Sequence, residues 1–256
     1  MLEGGRRLEA EVEAMRIQGA AALVTGGSRG LGAALGRALA REGARVVFVA
    51  RGAAELEAVA QGIRAAGGEA HALAGDVGDP RAASSLAGAA AALVGPIDLL
   101  VHGASTLGPV PLRLLLDTDG AELERALAVN LVGPFRLTRA VAGGMVLRGR
   151  GLVVHVTSDA SVVAYPRWGA YGVSKAAFDH LARVWAAELD GTGVRFVSVD
   201  PGEMDTRMHA EAVPEADPAT LADPAAVAER IVALIRGSET FASGARLEAS
   251  AMVVAS

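Results

Sequence analysis

From Ala20 onward, short apolar runs rich in valine alternate with longer stretches in which Ala and Leu recur at helical spacing among Glu and Arg. A short, continuous apolar run bounded by turn residues is the pattern of a strand buried on both faces, whereas a period near 3.6 is that of an amphipathic helix. The pattern predicts strands at Ala20–Thr25, Arg45–Ala50, Glu69–Ala74, Asp98–Val101, Leu152–Thr157 and Arg195–Asp200. The segments between and after them, Leu31–Glu42, Ala53–Ala66, Arg81–Val94, Glu122–Ala142, Ala170–Leu189 and Pro224–Ile235, predict helices, several closed by glycine. Successive βα units of this kind wind into a Rossmann-like, doubly wound parallel sheet inside a three-layer α/β/α arrangement. In such sheets ligands sit outside the carboxyl ends of the strands, so chemistry is to be sought in the residues just after each strand.

At 256 residues the chain lies near the upper end of what one hydrophobic core serves, and no Pro/Ser-rich or charged stretch divides it, so one domain is expected. Residues 1–16 show only a short charged pattern, Leu8-Glu9-Ala10-Glu11-Val12-Glu13, and are expected to be a disordered tail, with a docking helix as the alternative. Met15 stands directly before Arg16-Ile17-Gln18-Gly19 and could itself be the natural start. Apolar residues make up 52% of the chain but aromatics only 4%, so Ala, Val and Leu must build the core. A net charge of −5 without any Lys/Arg run gives no electrostatic footprint for nucleic acid or an anionic membrane. The absence of cysteine excludes disulfides and thiolate chemistry. Charges near the N-terminus where a signal peptide needs an apolar core, and no apolar stretch of spanning length, lead to the expectation of a cytoplasmic protein.

After the first strand comes Thr25-Gly26-Gly27-Ser28-Arg29-Gly30-Leu31-Gly32, which opens directly into an Ala-rich helical segment. Glycines at 26, 30 and 32 leave bare backbone N–H groups at the positive end of that helix, where a pyrophosphate can approach. A Gly-rich turn alone can equally bind nothing; its place between strand and helix is what points to a dinucleotide. Gly26, Ser28, Arg29, Gly30, Leu31 and Gly32 are therefore the expected cradle. The second strand ends Val49-Ala50-Arg51, with no acid where NAD enzymes usually hold the adenosine ribose by a carboxylate. Arg29 and Arg51 can instead clamp a 2′-phosphate through charge-assisted hydrogen bonds, which favours NADP(H) over NAD(H); the alternative is a pair of solvated surface charges.

The segment Tyr171-Gly172-Val173-Ser174-Lys175 begins a predicted helix, and residues four apart share a helix face. A cationic Lys175, joined by an oxidised nicotinamide, is expected to draw the Tyr171 phenol below its ordinary pKa of about 10. Tyr171 can then serve as acid toward a carbonyl oxygen or as base toward an alcohol. Ser158, at the carboxyl end of its strand, can donate a second hydrogen bond to the same oxygen.

Taken together, the glycine turn, Asn130, Ser158 and Tyr171 through Lys175 resemble the classical short-chain dehydrogenase/reductase family, over roughly Ile17 to Ile235. The resemblance implies that Tyr171 transfers the proton, that Lys175 also binds the nicotinamide ribose, that Ser158 orients the substrate and that Asn130 holds a water linking Lys175 to solvent. Asp76-Val77 is similar to the family's adenine-contacting pair, although Asp76 could simply cap a turn. Pro201-Gly202-Glu203-Met204-Asp205-Thr206 resembles its Pro-Gly segment, where Thr206 would meet the carboxamide or equally cap a helix. Residues 17–256 are thus read as one dinucleotide-binding catalytic domain acting on a small-molecule carbonyl or alcohol, with a substrate lid at about 204–221. The resemblance also implies a homodimer or homotetramer assembled through the Glu122–Ala142 and Ala170–Leu189 helices.

Two stretches depart from the family pattern. His102-Gly103-Ala104-Ser105 stands where Asn-Asn-Ala-Gly is common, so this loop is expected to be looser while Gly103 and Ala104 keep backbone contacts with the cofactor. Phe241 through Glu248 lacks the Asp-Gly-Gly ending, which leaves the last strand and the oligomer contacts open. His155 reads as a buried histidine, and the scattered histidines show no metal-ligand spacing, so no metal is expected. Tyr165 has Gly169 rather than lysine four residues on, and with Trp168 is assigned to the substrate pocket. Arg207 is the lid's single arginine, which favours a neutral or modestly polar carbonyl over a strongly anionic one. The competing readings are a non-catalytic dinucleotide-sensing or scaffold protein, and a nucleotide-sugar epimerase. The intact Ser158, Tyr171 and Lys175 weigh against the first, and the glycine spacing and short chain against the second.

Overall fold

The alternation of strand and helix is built nearly as the pattern predicts. The computed structural model describes residues 15–251. The first half runs β1 (Ala21–Thr25), α1 (Gly30–Arg41), β2 (Arg45–Ala50), α2 (Ala53–Ala65), β3 (Glu69–Ala74), α3 (Ala82–Val94) and β4 (Leu99–His102). The second half runs α4 (Gly120–Leu127), α5 (Gly133–Arg148), β5 (Gly151–Val156), α6 (Gly169–Glu188), β6 (Val194–Asp200), α7 (Arg207–Ala212), α8 (Pro224–Arg236) and β7 (Ala245–Glu248). All strands are parallel and lie in the order β3-β2-β1-β4-β5-β6-β7. The order reverses between β1 and β4, so their diverging connections leave a crevice at the carboxyl ends.

Period-two alternation along each strand feeds two cores. Ala22, Val24, Val46, Phe48 and Val101 face α1, α2 and α8. Leu23, Val47, Leu100, Val153 and Phe196 face α3, α5 and α6. Close approach of α1 depends on Gly36, where a Cβ would stand 2.0 Å from Cε1 of the buried Phe48. Small residues let helices lie tight on the sheet, which is how a core poor in aromatics reaches close packing.

The predicted helix Glu122–Ala142 is one continuous element in the sequence pattern but is interrupted here by a π turn, Ala128–Val132. Pro134 accounts for part of this, because it has no N–H to donate to the carbonyl of Asn130 four residues earlier. A Cβ at Gly133 would lie 2.3 Å from the Val77 carbonyl oxygen, so the helix also passes close under the loop after β3. The tail assigned to residues 1–16 lies outside the described residues up to position 14. Met15 is fixed, its backbone N–H donating to Ser238 Oγ at 3.0 Å, and Ile17 is buried. The last strand, left open by the sequence, forms as β7 and pairs with β6 from Val197↔Ala245 to Asp200↔Glu248. Among the described residues no helix is long and apolar enough to cross a membrane.

Two histidines stand side by side on β4 and β5, in register as His102↔His155, and both are buried. His155 stacks on Phe178 of α6 at 3.9 Å, and His102 Nε2 bonds Thr138 Oγ1 of α5 at 2.8 Å. Burial first, and the charge of Lys175 second, lowers the His102 pKa to about 3; burial also holds His155 well below its ordinary value. The unfolded chain, with ordinary histidines near 6.5, therefore takes up protons that the folded one refuses. Stability is complete above pH ~6.5 and falls as pH drops below it, by about 1.4 kcal/mol per unit for each histidine. Thermal melts from pH 7 down to about 4 should show this fall, and His155→Leu should make it shallower. An unchanged slope in the variant would contradict the assignment.

Candidate active site

At the carboxyl ends of the strands lies a cleft of about 940 Å³, and the predicted cradle lines it: Gly26, Ser28, Arg29, Gly30, Leu31 and Gly32. The turn is tight because it is bare. Gly26 has φ +73, and a Cβ there would lie 2.7 Å from the Ala104 backbone nitrogen; one on Gly32 would lie 2.3 Å from the Gly26 carbonyl oxygen. The N-terminus of α1 opens into the cleft with Arg29 as its cap residue, and no side chain satisfies its first N–H groups. Backbone donors and a helix dipole thus converge where an anion can sit.

Around this cradle stand Arg51, Asp76, Val77, Gly103 and Ala104, and farther along Pro201 and Thr206, all on the cleft wall; Gly202 is adjacent but does not line it. Arg29 and Arg51 are exposed, and neither has a carboxylate partner among the described residues. Glu55, in the first turn of α2, also lines the cleft and was not singled out from the sequence. Its charge opposes a 2′-phosphate, so two guanidiniums face one carboxylate at the end of β2. Asp76 Oδ1 accepts from the Gly78 N–H at 2.9 Å, the turn-capping role that was its alternative reading. Thr206 likewise caps α7, accepting from the His209 N–H at 3.2 Å, while it lines the cleft.

Lys175 and Tyr171 are both buried, one turn apart on α6. Lys175 Nζ donates to the Val156 carbonyl at 2.7 Å and stands 5.5 Å from the centre of the Tyr171 ring. Burial lowers the Lys175 pKa to about 8, while the negative charges of Asp179 and Asp200 oppose the shift. The sequence expectation of a depressed Tyr171 pKa is corrected, because burial outweighs the influences that lower it. Burial pushes that phenol up to about 12, against the opposing pull of a hydrogen bond with Ser158. Ser158 Oγ in turn donates to Asp159 Oδ1 at 2.9 Å, and Tyr165 OH donates to Asp159 Oδ2 at 2.7 Å. Lys175 is the only lysine in the chain, a signal visible in the sequence that bears on its role.

Asn130 sits in the π turn, with its side chain fully engaged. Its Oδ1 accepts from the Thr106 N–H at 2.8 Å, and its Nδ2 donates to the Thr106 carbonyl at 2.8 Å and to Ser174 Oγ at 2.9 Å. The loop after β4 is therefore braced, contrary to the expectation that His102-Gly103-Ala104-Ser105 leaves it loose. Thr25 Oγ1 adds hydrogen bonds from the Gly103 and Ala104 N–H groups, each at 3.2 Å. A small apolar cluster stands over Tyr171: Leu107 and Ala160 with Leu112, Trp168, Met208 and Ala212. Met208 and Ala212 of α7 and the Trp168 that the sequence assigned to the pocket pack on this same cluster, whereas Tyr165 turns to Asp159. Among the described residues no group of three or more His, Asp or Glu side chains could hold a metal ion. The arrangement offers an anion cradle, a protonated phenol and a buried cation, a set suited to moving a proton beside a bound dinucleotide.

Comparison with known proteins bears on the family and the fold. The family model for short chain dehydrogenase matches residues 20–217. A short chain dehydrogenase from Pseudocercospora fijiensis is 36% identical over 76% of this chain, which spans 63% of that protein's length. Galactitol 2-dehydrogenase (L-tagatose-forming) from Cereibacter sphaeroides is 38% identical over 75% of this chain and 74% of its own. Among solved structures, a short chain dehydrogenase from Salmonella enterica serovar Typhi superposes with a TM-score of 0.85 at 27% identity, covering 93% of this chain and 98% of the other. A 7 alpha-hydroxysteroid dehydrogenase complexed with NADH and 7-oxo glycochenodeoxycholic acid gives 0.83 at 28%, covering 91% and 94%. A metagenomic short-chain oxidoreductase in complex with NADP gives 0.77 at 30%, covering 91% and 98%.

The cradle generates a direct prediction. Gly32→Ala sets a Cβ against the Gly26 carbonyl, and neither backbone can yield without opening the turn. Calorimetric titration should show dinucleotide affinity lowered at least tenfold, with a lower thermal midpoint. Unchanged affinity in a folded variant would contradict the geometry.

Proposed function

The chain belongs to the short-chain dehydrogenase family, and on that premise we propose that it is an NADP(H)-dependent reductase that interconverts a carbonyl compound and its secondary alcohol. In this reading Tyr171, Lys175, Ser158 and Asn130 are the catalytic group. The observation that carries it is the pairing of a buried phenol with a buried ammonium on one face of α6, beside a cleft that is shaped for a dinucleotide. The residues fit such a cofactor, because the glycine turn lines the cleft and the N-terminus of α1 opens into it with no side chain capping its first N–H groups. Gly26 through Gly32 would hold that group, Arg29 and Arg51 a 2′-phosphate, and Asp76, Gly103, Ala104, Pro201 and Thr206 the remainder. When bound, a nicotinamide supplies the hydride for the carbonyl carbon.

The chain's own residues manage the oxygen. Burial keeps Tyr171 protonated at neutral pH, so it is poised to give its proton to the developing alkoxide. The phenolate left behind faces the Lys175 ammonium, which lowers its energy. Ser158 contributes once its hydroxyl turns from Asp159 to the substrate oxygen. Asn130, whose side chain is held by Thr106 and Ser174, would hold a water between Lys175 and solvent. Arg207 is paired with Glu211 at 2.8 Å, which leaves the lid's arginine engaged and supports a neutral or modestly polar substrate. Exposed Leu147 on α5 and Val173 on α6 support assembly through those helices.

The test is oxidation of NADPH and NADH by the purified protein against ketones, aldehydes and diketones, over a range of pH. Turnover should be faster with NADPH and should decline as pH rises through about 8, where Lys175 loses its proton. Arg29→Ala and Arg51→Ala should each reduce the NADPH preference about tenfold, the scale of a lost charge-assisted hydrogen bond. A preference for NADH that neither variant changes would overturn the cofactor assignment. Dinucleotide binding without turnover anywhere in the panel would overturn the reductase reading.

A further inference from the structure

In register across the sheet, just below the cleft, lie Thr25, His102, His155, Ser198 and Arg246, one residue from each of β1, β4, β5, β6 and β7. Arg246 ends this row and is its one residue of fixed charge. Its guanidinium reaches three separate segments of the site wall. Nη2 donates to the Ser158 carbonyl at 3.1 Å and to Asp200 Oδ2 at 2.7 Å, and Nε stands 3.4 Å from Asp179 Oδ2. Asp179 Oδ2 also accepts from Ser161 Oγ at 2.6 Å, which ties α6 to the turn after Ser158. The exposed Glu248 is a looser neighbour, 3.7 Å from Nη1. Both aspartates are buried, and among the described residues no other arginine pairs with either.

We propose that Arg246 is a positioning residue of the active site: from the last strand it fixes the backbone of Ser158 and neutralises the two carboxylates, Asp179 and Asp200, that face Lys175. The consequence for turnover rests on the reductase reading; the geometry does not. Removing one partner of a buried ion cluster leaves the remaining charges uncompensated. Here two carboxylates would then act on Lys175 unopposed and hold its proton to higher pH. The other groups facing Lys175 cannot offset this. Tyr171 is protonated at neutral pH, and the imidazoles of His102 on β4 and His155 on β5 are kept uncharged by burial. The Asp-Gly-Gly ending that this chain lacks is thus replaced by a strand whose arginine serves the site.

Because Lys175 is the only lysine, protein labelled with ¹³C at lysine Cε gives one NMR signal whose shift follows its ionisation, with no substrate or cofactor present. The unaltered protein should titrate near pH 8. Arg246→Met should raise the midpoint by about one unit, a tenfold change in the ionisation constant. Adding Asp179→Asn to that variant should restore at least half of the difference. Arg246→Gln, which keeps a donor for the Ser158 carbonyl but removes the charge, should give the same upward shift and decides the matter if the methionine variant does not fold. A midpoint unmoved in a folded variant, or a shift that Asp179→Asn leaves in place, would overturn the proposal. Failure of the reductase reading would instead appear as absent turnover with the lysine titration behaving as described.

Discussion

The burial of one ammonium group organises this molecule. Lys175 is the chain's only lysine and is 3% exposed, although every other basic side chain apart from the histidines is an arginine. An unpaired buried charge would cost several kcal/mol or shed its proton, so the fold has to supply compensation. It does so from three directions: the Val156 carbonyl at the end of β5, Asp179 one turn farther along α6, and Asp200 at the end of β6. A lysine suits this place because its pKa moves readily with environment, whereas a guanidinium stays charged throughout the accessible pH range.

From that constraint the position of the other groups follows. Docking α6 on β5 and β6 so that Lys175 reaches the Val156 carbonyl also buries Tyr171 one turn earlier, and places Ser174 against Asn130. Asn130 then pairs with the backbone of Thr106 and holds the loop after β4, whose Gly103 and Ala104 close on the glycine turn after β1. The two halves of the cleft are therefore mechanically connected. The sheet provides a rigid base, because each strand that ends at the site is buried on both faces and fixed in register with its neighbours.

Much of this was legible in the sequence because it depends on local pattern. Valine-rich runs marked the strands to within a residue or two, and the glycine turn, Ser158, Tyr171 and Lys175 stand at the strand ends and helix start where the sequence put them. What was not legible depends on contacts between distant segments. Helical periodicity runs unbroken from Glu122 to Ala142, so the π turn at Asn130 is invisible until Pro134 and the close passage of Gly133 under Val77 are seen together. β7 escaped because Arg246 and Glu248 interrupt its apolar pattern for reasons lying on α6 and β6. The direction of the Tyr171 shift was misjudged from its spacing to Lys175, since burial, which spacing cannot report, is the larger influence.

The central claim is that Tyr171 carries the proton while the cradle carries the cofactor, and these separate cleanly in one comparison. Tyr171→Phe removes a single oxygen, so the NADPH dissociation constant and kcat are to be measured side by side in the variant and the unaltered protein. If Tyr171 is the proton donor, kcat falls by at least a hundredfold, the lower range for loss of a general acid, while the dissociation constant changes little. A variant that binds NADPH equally well and turns over at an undiminished rate would contradict it.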